Sequence, residues 1–316
     1  MDRDECTYGS DEKSSFGSFC RALMIRKKVR AVTHGAVSIV NAIATGKGSA
    51  LGISLTVTAE AELRPGHGVQ CQTASAKLMR NIVFNTIPQS ILSENSVCLS
   101  VKSQIPAGVG LKSSSAVSSA VALACSKLIK DKINDHAVLD AAVRASLDAG
   151  VTITGAYDDS TASYFGGFVV TNNHTLEIKR HEKAQENLYA TIFLPHSAPR
   201  GDIHKLNLMS DLSQEAIEWA TVGEYWKAMN LNGMVLSSCL SKDYYPAITA
   251  IQKGALAASM SGNGPSIAAV SYEEKLADIN LGFSKFNGKV IVSKINNYKA
   301  SVETLIGKNS GNELED

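Results

Sequence analysis

The stretch from Ile105 to Ala116 brings together what a polyanion requires. Pro106 opens a turn, and Gly108 and Gly110 remove Cβ atoms, so backbone amides can approach a ligand closely. Leu111, Lys112, Ser113, Ser114 and Ser115 then lead directly into a helical pattern. The free N–H groups over residues 112–115 would sit at the positive end of that helix, and serine hydroxyls at its rim can reach phosphate or Mg²⁺. A plain Gly/Ser loop capping a helix has the same composition, so the segment must be weighed with two others. In the first of these, Asp148 closes a predicted helix, where the dipole end disfavours a carboxylate. Asp158 and Asp159 follow as neighbours in a loop of small residues, ahead of Gly166 and Gly167. Adjacent aspartates are usually a solvated turn; beside a phosphate cradle, one of them could hold or deprotonate an acceptor hydroxyl. The last segment, Ser261, Gly262, Asn263, Gly264 and Pro265, is a glycine turn between two predicted strands.

Periodicity names the elements that must position these segments. Residues 53–63 alternate, with Ile53, Leu55, Val57, Ala59, Ala61 and Leu63 apolar between Ser, Thr and Glu, which predicts a long strand with one wet face. Residues 96–103 repeat the pattern with Val97, Leu99 and Val101 inward. Helices are expected over 74–84, over 113–129 and over 135–148. The second presents Ala116, Ala120 and Ala124 at four-residue spacing, a face that lets a neighbour approach closely; the third starts behind Asn134 as N-cap and stops at Gly150. A strand at 167–171 follows. Further on, strands at 189–194, 256–260, 266–270 and 289–293 mix with helices at 211–220, 223–240 and 273–283, an α+β layering. The polar stretch 174–186 places a domain boundary, giving an N-terminal domain over 24–180 and a C-terminal one over 181–316. The polar residues 1–23 are expected to be a disordered leader.

A chain of 316 residues suits two domains, and 44% apolar with 19% charged residues is ordinary for a globular protein. A net charge of +1 advertises neither nucleic acid nor an anionic membrane as partner, and no apolar run is long enough to span a bilayer. The six cysteines, at 6, 20, 71, 98, 125 and 239, show no C-x-x-C spacing, so neither a disulfide framework nor a zinc site is expected and a reducing cytoplasm fits. No oligomeric state is specified by the pattern.

Taken in order, the three segments resemble the GHMP kinase superfamily, which includes galactokinases, homoserine kinases and mevalonate kinases. Its phosphate loop, Pro-x-x-x-Gly-Leu-Gly-Ser-Ser-Ala, is matched by Pro106, Gly110, Leu111, Ser113, Ser114 and Ala116, with Lys112 in place of a glycine and Ser115 in place of an alanine. The middle motif is matched by Asp159, Ser163, Gly166 and Gly167, and the closing one by Ser261, Gly262, Gly264 and Pro265, with Asn263 replacing a serine. Within the superfamily, the block from Ala36 to Ala50, the Gly-Leu-Lys-Ser-Ser-Ser loop and the stretch from Tyr157 to Gly167 are similar to archaeal-type shikimate kinases. The Gly-Glu-His opening of galactokinases and mevalonate kinases is absent, and so is the P-loop of bacterial shikimate kinases.

The resemblance implies an α+β GHMP kinase fold: a ribosomal-protein-like N-terminal domain with a left-handed βαβ unit, and a ferredoxin-like C-terminal domain. It implies phosphorylation of a shikimate hydroxyl by ATP with Mg²⁺. The loop from Pro106 to Ser115, with Gly262, Asn263 and Gly264, would hold the nucleotide. Ser114 would ligate the metal, and Asp148, eleven positions before Asp159, would supply a carboxylate to it. Asp159 would be the base or orienting group with Asp158 as alternative, and Lys112 would neutralise transferred charge. Thr45, Gly46, Gly48 and Ser49 would form a substrate loop, with Lys47 or Arg200 anchoring the substrate carboxylate. The rival readings are another GHMP small-molecule kinase such as a homoserine kinase, a non-catalytic GHMP-like binding protein, and a nucleic-acid-binding module. A near-neutral charge speaks against the last.

Overall fold

A computed structural model describes residues 27–71, 75–197 and 201–305 of the chain. The expected leader and Arg200 lie outside the described residues. Two sheets organise the fold. In the larger, β11 (Ser301–Leu305), β1 (Lys28–Val40), β2 (Lys47–Pro65), β4 (Asn95–Ser103) and β3 (Val69–Cys71) are neighbours in that order, and β5 (Phe168–Asn172) pairs with both β2 and β6 (Glu177–Glu182). β3 and β4 pair in parallel and are joined through α1 (Ala76–Thr86) and α2 (Gln89–Leu92), a βαβ unit. The smaller sheet orders β10 (Gly288–Lys294), β7 (Leu188–Pro195), β9 (Ile267–Tyr272) and β8 (Ala257–Met260), all antiparallel. Between β7 and β8 run α6 (Ser210–Thr221), α7 (Tyr225–Leu240) and α8 (Tyr245–Gln252), and between β9 and β10 lies α9 (Leu276–Phe283). That succession is the split βαβ plan expected for the C-terminal half.

Burial along β1 and β2 shows how the layers meet. β1 alternates from Lys28 to His34 and is then buried at every position from Gly35 to Val40; β2 is buried from Gly48 to Ile53 and alternates beyond Ser54. The fully buried halves lie side by side, Ala36 opposite Gly52 and Ser38 opposite Ala50. One face is covered by α3 (Ser113–Ile129) and α5 (Tyr157–Phe165), the other by α6 and α7 of the C-terminal half. In the smaller sheet β7, β8 and β9 are likewise buried on both faces, whereas β10 is an edge strand. Ala257, Ala268 and Val270 join the main core with Ala216, Ala228 and Met229. The alternate residues Ala258, Ile267 and Ala269 pack with Ala247, Ala250, Ile279 and Phe283 from α8 and α9.

Helix α3 begins and ends where the sequence places it, and Ala116, Ala120 and Ala124 are all fully buried. Helix α4 (Asp135–Ala149) starts at Asn134, whose side chain accepts from the Ala137 amide, and ends at Gly150 in the left-handed region. The loop expected around Asp158 and Asp159 is instead the first turn of α5. Its Asp, Ser and Thr content is unfavourable to an isolated helix, and burial of Tyr157, Ala162 and Tyr164 supplies the missing stability. The polar stretch read as a boundary contains β6, whose residues alternate between exposed and half-buried. The chain passes from the first sheet to the second between β6 and β7, and β11 crosses back to pair with β1. Replacing the α4 cap, Asn134→Ala, is expected to lower stability by about 1 kcal/mol in urea unfolding, without changing nucleotide affinity.

Candidate active site

The phosphate loop reaches α3 through a close passage of backbone. Gly110 has φ of 89°, and a Cβ there would overlap the Ser261 carbonyl oxygen. Two buried serines fasten the passage. The Ser261 hydroxyl donates to the Gly110 carbonyl at 2.8 Å and accepts from the Ser38 amide at 3.1 Å. The Ser38 hydroxyl accepts from the Gly262 amide at 2.9 Å. Asn41 continues the seam, its side-chain amide donating to Gly262 O and Asn263 Oδ1, both at 3.0 Å. The end of β1, the phosphate loop and the closing glycine loop are thus one unit. Neither Ser38 nor Asn41 stands out in the sequence, because a strand serine and a turn asparagine are ordinary there.

Around this unit lies a cavity of about 370 Å³. It is lined by residues 41–43, Gly108, residues 110–115, Ser146, the loop 150–154 with Ala156, both aspartates, Ile203, Gly262 and Asn263. The first-turn amides of α3 face no side-chain cap among the described residues, as an anion-binding helix end requires. Ser114 is exposed at the lip, whereas Ser115 is buried.

Lys112 holds the N-cap position in the left-handed region, φ 63°. That conformation accounts for the glycine of the kinase pattern, since a side chain there costs about 1 kcal/mol or more. In return its ammonium stands 2.8 Å from Asp159 Oδ1, with side chains only 7% and 15% exposed. Asp159 Oδ1 has no aligned hydrogen bond among the described residues, so the contact is an ion pair and not a hydrogen bond. Lys112 is the only cation among the described residues that line the cavity.

Asp158 has a different environment. Its Oδ1 accepts from Asn173 Nδ2 at 2.8 Å, its amide donates to Asn173 Oδ1 at 3.2 Å, and a Cβ on Gly48 would overlap its carboxylate. Burial pushes it up to about 7, the Asp159 charge adds to the rise, and Lys112 and the Asn173 donor oppose it. Both line the cavity, but Asp159 is paired with a cation whereas Asp158 is buried and held by an amide.

The Gly166–Gly167 pair that follows α5 is explained by a crossing. Gly166 would bring a Cβ within 2.7 Å of Asn296 O, and the Gly167 amide donates to that oxygen at 2.7 Å. The return to β11 thereby pins the C-terminal end of the helix that carries both aspartates.

Pro106 and Gly264 belong to the two loops but not to the cavity lining. Thr45, Gly46, Lys47, Gly48 and Ser49 form the turn into β2, behind Asp158. The Thr45 hydroxyl is used within the turn, against Lys47, and Ser49 is buried and donates to Val169 O. Lys47 Nζ lies 3.5 Å from Gln214 Oε1. Asp148 is exposed on the last turn of α4 and does not line the cavity, where Ser146 from the same helix does.

Residues 75–167 match the model of the GHMP kinases N terminal domain. The chain is 36% identical to the shikimate kinase of Methanobrevibacter smithii over 286 residues, which cover 86% of this chain and 98% of that one. The chain belongs to the GHMP kinase family. The shikimate kinase of Methanothermobacter thermautotrophicus is also 36% identical, over 87% of this chain and 97% of its own. Among solved GHMP kinases, the homoserine kinase of Cytophaga hutchinsonii superposes with a TM-score of 0.67 at 18% identity, covering 87% of this chain and 97% of that one. The mevalonate kinase of L. major superposes with a TM-score of 0.63 at 15% identity, covering 84% and 96%. At those identities the likeness shows the GHMP kinase fold alone.

Two outcomes are expected from this geometry. Gly110→Ala forces a Cβ into the Ser261 carbonyl and should lower the melting temperature as well as abolish ATP binding in calorimetry; a variant of wild-type stability and affinity would contradict the seam. For Asp158, a raised native value means that the folded state holds the proton more tightly, so its stabilising contribution is full near pH 4 and is lost as pH rises through about 7. Urea unfolding of Asp158→Asn against wild type should therefore favour the variant increasingly from about pH 4 to about pH 7, with the difference levelling off above that. A pH-independent difference would contradict the buried assignment.

Proposed function

We propose that this GHMP kinase transfers the γ-phosphoryl group of ATP to a hydroxyl of shikimate, giving shikimate 3-phosphate and ADP. The observation that carries the substrate is the 36% identity to a shikimate kinase over 98% of that protein's length. The cavity carries the chemistry. Triphosphate oxygens would lie on the amides of residues 110–115 and against Gly262 and Asn263, with the positive end of α3 beneath them.

Asp159 receives the proton of the acceptor hydroxyl as the oxygen–phosphorus bond forms and the bond to the bridging oxygen of ADP breaks. Lys112 keeps Asp159 in place and adds positive charge beside the transferred group. The donors present fit a metal brought in by the nucleotide. Among the described residues no group of three or more His, Cys, Asp or Glu could hold an ion unaided, and the Ser114 hydroxyl stands at the cavity lip. Mg²⁺ takes most of its ligands from phosphate and water, and when bound with ATP it neutralises phosphate charge; Ser114 would hold it. The turn 45–49 would border the acceptor end through Asp158, and Lys47 or Arg200 would supply the cation for a substrate carboxylate. The Cys98, Cys125 and Cys239 thiols are free, which suits a reducing cytoplasm. No helix among the described residues is long and apolar enough to cross a membrane.

The test is ADP release by the purified protein with ATP and Mg²⁺ across shikimate, homoserine, mevalonate and galactose. Turnover confined to shikimate is expected; turnover with another alcohol would overturn the substrate. Asp159→Asn should keep the wild-type fold by circular dichroism and lose at least ~100-fold in kcat. Undiminished turnover would remove Asp159 from the chemistry.

A further inference from the structure

Asn173 follows the end of β5 and is 4% exposed, yet no motif includes it. Every polar atom of its side chain is engaged, twice with Asp158 and once each with Thr154 and Thr171. Its Oδ1 accepts from the Asp158 amide at 3.2 Å and from the Thr171 hydroxyl at 2.7 Å. Its Nδ2 donates to Asp158 Oδ1 at 2.8 Å and to Thr154 Oγ1 at 3.3 Å. Its own amide donates to the Gly46 carbonyl at 2.8 Å. One residue thus ties together the turn 45–49, the loop 150–156 and the first turn of α5.

We propose that Asn173 is a positioning residue for phosphoryl transfer: by gripping both the amide and the carboxyl of Asp158 it fixes the first turn of α5, and so the placement of Asp159 against Lys112. The inference rests on the kinase reading for its kinetic consequence, but its geometry does not. The α5 helix starts at Ala156 with φ of 50° and no side-chain cap of its own, so its entry is set from outside the helix. The grip on Asp158 is what sets it. Thr154 Oγ1 accepts both from Asn173 and from the Ala156 amide at 3.3 Å, which extends the same hold to the residue where the helix begins. A buried pair of this kind also has a fixed polarity, one amide donor facing one carboxyl acceptor, and the polarity can be exchanged.

The experiment is that exchange. In Asn173→Asp alone, two carboxyl groups face each other and the turn is displaced; kcat should fall by ~100-fold or more while the KM for ATP stays within about threefold, because the phosphate loop is untouched. Asp158→Asn alone keeps an acceptor for Asn173 and should lose less than about tenfold. The double variant restores one donor and one acceptor with the roles reversed and should recover most of the kcat lost by Asn173→Asp. Lack of recovery would overturn the proposal, and so would an Asp158→Asn variant as inactive as Asp159→Asn, since Asp158 would then act in the chemistry itself. A second measurement is independent of the acceptor. Amide exchange at Asp158, followed by NMR in the nucleotide-free protein, should quicken by about tenfold or more in Asn173→Ala. Unchanged exchange would overturn the grip even if the substrate proved not to be shikimate, and quickened exchange in a protein inactive on shikimate would leave the grip standing while the substrate reading fell.

Discussion

The site depends on how closely two loops can pass. Gly110 and the Ser261–Gly262 peptide meet at a separation that excludes a Cβ, and the Ser38 and Ser261 hydroxyls bond across the junction. Because Ser38 belongs to the buried half of β1, the N-terminus of α3 is referenced to the centre of the larger sheet. The closing loop joins β8 to β9, so the smaller sheet is referenced to the same point. A helix end that binds phosphate must present its amides without reorganisation, and this junction supplies the rigidity.

The same centre explains the division of labour between neighbouring aspartates. Successive residues at the start of a helix point about 100° apart, so of two aspartates at the cavity wall one can meet Lys112 and the other can turn into the sheet. Asp159 meets Lys112, whose left-handed backbone directs its side chain across the phosphate loop. Asp158 meets the turn into β2 and Asn173, and burial there favours its neutral form. Two carboxylates of equal charge beside one lysine would repel each other, and unequal burial removes the conflict.

Much of the fold was readable from periodicity. The α3 bounds, the Asn134 cap and the strands at 53–63 and 96–103 follow from spacing and capping chemistry, because each is set by local sequence. Helix α5 was not readable, since its Asp, Ser and Thr residues favour turns and its stability is tertiary. β6 and β11 escaped for a related reason: both lie at the margins of the sheet, with polar residues and little burial. Residues 28–40, buried on both faces at one end and on one face at the other, present no single period. Within the site, the glycine loops and Asp159 are visible as a pattern, whereas Ser38, Asn41 and Asn173 act only through contacts between segments distant in the chain. Asp148 shows the limit of spacing, because it falls on the exposed side of α4.

Phosphoryl transfer at this site requires that the amides at the start of α3 receive the nucleotide phosphates. Backbone amide shifts and exchange rates measured with a non-hydrolysable ATP analogue, Mg²⁺ and shikimate test it most directly. The largest shifts and new protection are expected over residues 110–115 and at Gly262, with the far helices α8 and α9 unchanged. Saturable nucleotide binding that leaves residues 110–115 unperturbed would contradict it.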